Sequence, residues 1–283
     1  MNAKLLPLTP AIKDWLNQAS SQLISAGITS ANLDAELILA YSLVQERTYL
    51  HAHPEQIINN KQYKLANRNL FKRLKNTPIA YITGHKEFYG RDFMVNKNTL
   101  IPRPESEDII DTLKSIIHNR KSTGINLIDI GTGSGCLGIT AKLEFNYLNV
   151  TLADISKKAL DVAQENAIKL AVDVTLIKSD LLKKYHKTPD IILANLPYVN
   201  KSWDRSPDTN HEPSLALFAN NNGLSIIFNL ILQASNLLSA YGFLIIEADP
   251  IQHKSIIKHA KLNNLKLISC LGYALAFQIT NPR

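Results

Sequence analysis

A carboxamide, a proline-fixed turn and an aromatic ring stand together at Asn195, Leu196, Pro197 and Tyr198, directly after the apolar run 190–194. The Asn195 side-chain oxygen and the Leu196 carbonyl are hydrogen-bond acceptors, Pro197 brings no backbone N–H into the turn, and Tyr198 offers a flat face. This set suits a planar, neutral NH2 group. Such a nitrogen is a poor nucleophile because its lone pair is delocalised; in an amide that resonance underlies a rotation barrier of about 18–20 kcal/mol. Two acceptors that hold both N–H bonds turn the lone pair towards an electrophile, and fixed dipoles in a dry pocket need no reorganisation as the reaction proceeds. No base is required beforehand, because the proton becomes acidic only after the new bond has formed and can then leave to water. The competing reading of Asn195 is a turn-capping residue after a strand.

Upstream lies a glycine-rich turn, Gly131, Thr132, Gly133, Ser134 and Gly135, behind Asp129. Glycines let backbone approach a ligand closely, and the helix that follows offers unpaired N–H groups to an anion. In an open α/β sheet, ligands bind beyond the carboxyl ends of the strands. Asp154 ends the next strand, placed to take the two hydroxyls of a ribose, and Asp180 follows the third, placed to accept from an adenine amino group. Taken singly, Asp154 reads as a helix N-cap and Asp180 as a loop acid; their joint position at successive strand ends favours the ligand. Residues 133–138 also satisfy the dinucleotide pattern G-x-G-x-x-G, so an NAD enzyme stays an alternative. Hydride transfer gives Asn195 to Tyr198 no task beside the cofactor, which shifts the weight to S-adenosylmethionine.

Three segments must position these residues. Thr9 and Pro10 read as an N-cap and first helical position, after which Ile12, Trp15, Leu16, Ala19, Leu23 and Ile24 recur at helical spacing until Gly27. Ser30 begins a second helix with Leu33, Leu37, Ala40 and Val44 on one face. Tyr63, Leu70, Phe71 and Leu74 give a basic third helix, so residues 1–78 read as a small all-helical domain. Residues 79–103 change to β-like pieces, 80–83 and 91–95, with Gly84 and Gly90 at turns, and read as a β-hairpin connector. From 104 to 283 strands are expected at 125–130, 148–153, 172–178, 189–194, 241–247, 265–270 and 273–280, alternating with helices. That alternation predicts a parallel, doubly wound, Rossmann-like α/β sheet.

With 283 residues and 45% hydrophobic content, the chain can bury one large core or two modest ones. No apolar run approaches the roughly eighteen residues of a membrane span, and the first residues lack a secretory pattern, so a cytoplasmic chain is expected. Cys136 and Cys270 form no Cys-x-x-Cys pair, and His51 and His53 beside Pro54 read as a polar loop; no metal site is expected. The net charge is +7, and its whole excess lies in residues 61–121, with 13 Lys and Arg against 6 Asp and Glu. That stretch is either a solvated helix face or a surface that steers an acidic protein or RNA.

Several strings together carry a resemblance. Thr-Pro-Ile-Ala-Tyr-Ile-Thr-Gly at 77–84, Glu-Phe-Tyr-Gly at 87–90, Thr-Leu-Ile-Pro-Arg-Pro-Glu-Ser-Glu at 99–107 and Glu-Pro-Ser-Leu-Ala-Leu at 212–217, followed by Gly223, resemble the release-factor glutamine methyltransferases, the PrmC or HemK family. The resemblance covers nearly the whole chain. It implies an enzyme that uses S-adenosyl-L-methionine to methylate the glutamine of the Gly-Gly-Gln tip in peptide chain release factors, gripped by the helical domain; a monomer is expected. By the same carry-over, Gly131 to Gly135 and Asp154 bind the cofactor, Asn195 touches both ligands, and Leu196, Pro197 and Tyr198 complete the glutamine pocket. Leu181 falls where relatives use a bulkier residue against adenine. Phe88 and Tyr89 either cover the reactive methyl group or pack between domains, and Arg103 either pins the hairpin to the sheet, the favoured reading, or lies near the cofactor. The family's usual string is Asn-Pro-Pro-Tyr, and Leu196 replaces its first proline. Asn-Leu-Pro-Tyr also resembles the rRNA adenine dimethyltransferases, so an adenine or other exocyclic amine of RNA is the alternative acceptor, with the basic stretch as an RNA or ribosome contact. Residues 247–250 and 272–276 match the family more loosely.

Overall fold

The computed structural model describes residues 9–117, 124–200 and 202–280. These divide into two compact units, one of residues up to Gly84 together with Ser206–His211, the other of His85–Arg205 and Glu212 onwards.

The first unit is helical: α1 (Ile12–Ser25), α2 (Ala31–Leu43), α3 (Arg47–Ala52), α4 (Asn60–Leu74) and α5 (Ile79–Thr83), with a 3-10 turn at Pro207–His211. Ile12, Trp15, Ala19 and Leu23 recur at three- and four-residue spacing and form the buried stripe of α1. The Trp15 indole N–H donates to Asn67 Oδ1 at 2.8 Å, giving a large buried ring the polar partner it needs. Asn59 caps α4, its side chain accepting from Gln62 N at 2.9 Å. Arg73 is buried and donates to Asp34 at 2.6 Å and to Asp208 at 2.9 Å, which ties residues 206–211 into this unit.

Three local expectations change here. Thr9 does not cap α1: the N-cap is Ala11, and the Thr9 hydroxyl donates to the Ile58 carbonyl instead. In α2 the buried face holds Ala35, Ile38 and Leu39, while Leu33 and Val44 are exposed; a helix hydrophobic nearly all round gives the pattern no single stripe to reveal. Residues 80–83, read as β-like, form α5, because Pro78 as N-cap and Gly84 as a left-handed C-cap at φ +81° close a single helical turn.

The second unit opens with the hairpin β1 (His85–Phe88) and β2 (Arg91–Met94), paired antiparallel around Tyr89 and Gly90, both at positive φ. A 3-10 turn at Pro104–Ser106 leads into α6 (Glu107–Ile117). Then come β3 (Asn126–Ile130), α7 (Cys136–Glu144), β4 (Asn149–Asp154), α8 (Lys157–Lys169), β5 (Thr175–Lys178), β6 (Ile191–Ala194), α9 (Ser214–Leu217), α10 (Ser225–Leu237), β7 (Phe243–Glu247), α11 (Pro250–Leu262), β8 (Leu265–Leu271) and β9 (Ala274–Ile279). The seven strands β3 to β9 form one sheet in the order β5-β4-β3-β6-β7-β9-β8. Strands β3 to β7 are parallel, and their near-continuous apolar runs reflect burial on both faces.

The fully parallel sheet expected from the alternation is corrected at its C-terminal edge. Strand β9 runs antiparallel between β7 and β8. Only Gly272 and Tyr273 separate β8 from β9, too few residues for the crossover a parallel pair needs. Among the described residues, no helix is long and apolar enough to cross a membrane.

Candidate active site

The chain leaves β3 for β4 and β5 on one side of the sheet and returns through β6 and β7 on the other. The strand order therefore reverses between β3 and β6, and the crevice outside their carboxyl ends is where such a sheet holds its ligand. Both motifs open onto it and touch. A Cβ placed on Gly131, which holds φ +71°, would lie 2.9 Å from Leu196 Cδ2 and 3.7 Å from the Asn195 carbonyl oxygen. The Leu196 side chain is buried in the core beneath, while its carbonyl accepts no hydrogen bond from a described residue.

The glycine turn is anchored from below. Gly131 and Thr132 donate backbone N–H bonds to Ala153 O at 2.8 and 3.0 Å. Asp129 is fully buried; its Oδ2 accepts from Thr132 Oγ1 at 2.6 Å and from Gly138 N at 3.0 Å. Burial pushes this carboxyl up to about 6. Asp129, expected among the ligand residues, thus shapes the loop from beneath. A Cβ on Gly138 would strike Leu152 Cδ2 at 2.3 Å, so the glycine that completed the dinucleotide pattern serves the packing of α7 on β4. Among the described residues and apart from its chain neighbours, Gly133 has just the Gly131 carbonyl within 4 Å of where a Cβ would stand, so that side of its Cα is uncrowded.

Asp154 accepts from Gly133 N at 3.0 Å through Oδ2 and from Ser156 N at 2.8 Å through Oδ1. One lone pair on each oxygen stays available for a diol. The capping of α8 belongs to Ser156, whose hydroxyl accepts from Ala159 N at 3.2 Å, so Asp154 is released from that duty. Burial raises the Asp154 pKa from its ordinary value. Asp180 lies at the end of β5 with its exposed carboxylate 2.5 Å from Lys183 Nζ. Leu181 is half-buried against the adjoining core, at φ +51°.

At the acceptor motif, Asn195 Nδ2 donates to Ser106 Oγ at 2.8 Å and to Glu247 Oε2 at 2.9 Å. Glu247 Oε1 accepts from the Tyr198 hydroxyl at 2.9 Å. Strands β6 and β7 pair in parallel with Ala194 opposite Ile246, which brings the next residues of each, Asn195 and Glu247, side by side. Glu247 is almost fully buried, and burial raises its pKa. Burial, then the Glu247 charge, holds the Tyr198 phenol well above its ordinary pKa, so it stays a donor. Gln252 Nε2 donates to the Tyr198 carbonyl at 2.8 Å and fixes the exit of the turn.

Ser106 and Glu247 escaped the sequence reading. The available signal is that Glu247 ends an apolar strand, as Asp154 does. Phe88, expected to touch substrate, is corrected: its ring is 1% exposed and packs edge-on to Phe93 at 6.2 Å, inside the core. Hairpin residues alternate in facing, and Phe88 faces inward with Phe93. Arg103 pairs with the buried carboxylate of Glu212, which also accepts from Ile101 N at 3.1 Å. It therefore ties the entry of this unit to the segment after the acceptor motif.

Residues 14–84 match the PrmC N-terminal domain, and residues 106–212 match the methyltransferase small domain. A release factor glutamine methyltransferase of Koribacter versatilis is 35% identical over 250 residues, covering 85% of this chain and 89% of the relative. The chain belongs to the release factor glutamine methyltransferase family. A second member, from Leptospira interrogans, is 36% identical over 255 residues, covering 87% and 88%. The chain spans only 48% of a bifunctional methyltransferase of Rickettsia bellii, at 34% identity over 84% of its own length. Among solved structures, the 16S rRNA methyltransferase RsmC of T. thermophilus, in complex with AdoMet and guanosine, shares the fold at TM-score 0.53 and 13% identity, covering 70% of this chain and 50% of that one. A methyltransferase from Pyrococcus furiosus gives 0.51 at 19%, covering 75% and 98%. The chain is thus a methyltransferase of Rossmann-like fold.

Proposed function

We propose that this protein transfers a methyl group from S-adenosylmethionine to the side-chain nitrogen of the glutamine in the Gly-Gly-Gln motif of peptide chain release factors. The observation that carries the reading is the state of Asn195. Both N–H bonds of its carboxamide are directed to Ser106 and Glu247, which leaves Oδ1 as its acceptor, and the next residue's carbonyl, Leu196 O, accepts no hydrogen bond from a described residue.

The donor set fits the cofactor. The uncrowded Cα face of Gly133, the amides that begin α7 and the carboxylate of Asp154 suit an amino-acid carboxylate and a ribose, with Asp180 and Leu181 at the adenine end. S-adenosylmethionine supplies an electrophilic methyl group on a sulfonium. Asn195 Oδ1 and the Leu196 carbonyl accept the two N–H bonds of the substrate carboxamide, which withdraws its lone pair from conjugation and aims it out of the amide plane. Tyr198 packs on the flat face of that group, and Pro197 keeps the turn rigid. The substituted nitrogen then loses its proton to water. A release factor substrate places this reaction in the cytoplasm.

The same acceptors would suit an exocyclic amine of RNA, but the match of residues 14–84 to the PrmC N-terminal domain favours the protein substrate. The test is methyl transfer from tritiated S-adenosylmethionine with purified release factor and total RNA as rival acceptors. Label is expected in the release factor and lost when its tip glutamine becomes alanine. Label in RNA, or label that survives the alanine change, overturns the substrate.

A further inference from the structure

An asparagine can serve an NH2 substrate in only one of its two amide orientations. Turning the carboxamide by half a revolution exchanges Oδ1 and Nδ2 with almost no change of shape, and the terminal torsion is broad and roughly two-fold. The wrong orientation presents donors to a group that needs acceptors. Nothing within Asn195 to Tyr198 distinguishes the two, so the choice must come from outside the motif.

Ser106 and Glu247 make that choice. Each Glu247 oxygen already accepts a hydrogen bond, Oε2 from Asn195 and Oε1 from Tyr198, so an Asn195 turned the wrong way would set Oδ1 against the acceptor Oε2 at the 2.9 Å now spanned by a hydrogen bond. The carboxylate is itself held through its other oxygen. Tyr198 donates to Oε1 at 2.9 Å, and the Ser106 oxygen accepts the other N–H of Asn195 at 2.8 Å. Ser106 and Glu247 are each 2% exposed, so water does not compete for these bonds. The two groups arrive from separate elements, the turn before α6 and the end of β7, and they converge on one side chain.

We propose that Glu247 is a positioning residue whose carboxylate, together with Ser106, locks the Asn195 carboxamide with Oδ1 turned towards the acceptor nitrogen. The identity of that nitrogen as a glutamine amide rests on the proposed function; the lock itself serves any NH2 acceptor. Glu247 acts through Asn195 and does not touch substrate. Glu247→Gln is the informative change, because it keeps the shape but offers an NH2 group to which a reversed Asn195 can present its oxygen.

Glu247→Gln is expected to lower kcat at least tenfold while KM for the release factor, cofactor affinity and Tm stay near wild type. Glu247→Asp, which keeps the charge, recovers part of the loss. In an Asn195→Ala background the Glu247→Gln change has no further effect on kcat, as it must if the glutamate works through that asparagine. Ser106→Ala lowers kcat in the same direction by a smaller factor. Unchanged kcat in Glu247→Gln overturns the lock, and so does a double variant in which the two losses multiply. A second readout needs no substrate: the Asn195 side-chain NH2 signal in a 1H–15N spectrum, assigned by its loss in Asn195→Ala, should move and exchange faster with water in Glu247→Gln. An unmoved signal overturns the lock as well. If the wild type leaves release factor unlabelled, the substrate reading fails, and the NH2 signal still decides the role of Glu247.

Discussion

The backbone carbonyl of Tyr198 occupies the space where Gly223 would carry a side chain: a Cβ there would lie 1.8 Å from that oxygen. Gly223 also holds φ +84°, a region costly for any other residue. Gly223→Ala should therefore displace the turn that carries Tyr198, lowering both Tm and kcat, with cofactor affinity close to wild type. Titration calorimetry with S-adenosylmethionine beside a turnover assay separates the two effects. Full activity in a folded Gly223→Ala variant would show that the turn tolerates the shift.

Removing the Asn195 carboxamide deletes one preorganised acceptor, and losses of a single such hydrogen bond cost about 10²–10³ in kcat. Asn195→Ala should lie in that range and keep cofactor affinity within a few-fold. An unchanged turnover number would refute the role given to Oδ1.

Asp129 titrates inside the fold. Burial sets its pKa to about 6, above the ~3.9 of an unfolded aspartate. Between those values the folded chain holds a proton that the unfolded chain has released, so this group's contribution to stability falls as pH rises from about 4 to about 6 and is level above that. Each pK unit is worth about 1.4 kcal/mol, giving a fall on the order of 2–3 kcal/mol. Asp129→Asn keeps an acceptor for Thr132 and Gly138 but cannot titrate. Urea unfolding across this window should show wild type losing stability relative to the variant; parallel curves would disprove the assignment.

Phe88 belongs to the core, and truncating a buried phenylalanine to alanine typically costs about 3–5 kcal/mol. Phe88→Ala should lose that order of stability, while the milder Phe88→Leu should fold and keep KM for the acceptor unchanged. A raised KM in a fully folded Phe88→Leu would return the ring to the substrate site.

The sequence made the strand ends legible because buried parallel strands appear as apolar runs with a polar residue at the close. Asn195, Asp154 and the glycine turn were found that way, and the structure brings them to one crevice. Glu247 obeys the same rule but had no distinctive string around it, and its partner Asn195 is 52 positions away. Ser106 lies 89 positions from Asn195, a separation no local pattern reports. Phe88 was misplaced because a glycine-flanked aromatic pair looks alike whether it faces a ligand or a core. The direction of β9 follows from the two-residue turn before it, which the strand–helix alternation does not register, and residues 206–211 join the helical unit through Arg73 and Asp208, which sequence spacing does not link.

The placement of β9 between β7 and β8 has a consequence for biosynthesis. Glu247 pairs with Ala274 across that antiparallel ladder, so the strand bearing the buried carboxylate stays an open edge until ribosomal synthesis has passed Ile279. The nascent polypeptide can assemble the glycine turn early, but it gains a fully supported Asn195 only once β9 has emerged and paired with β7.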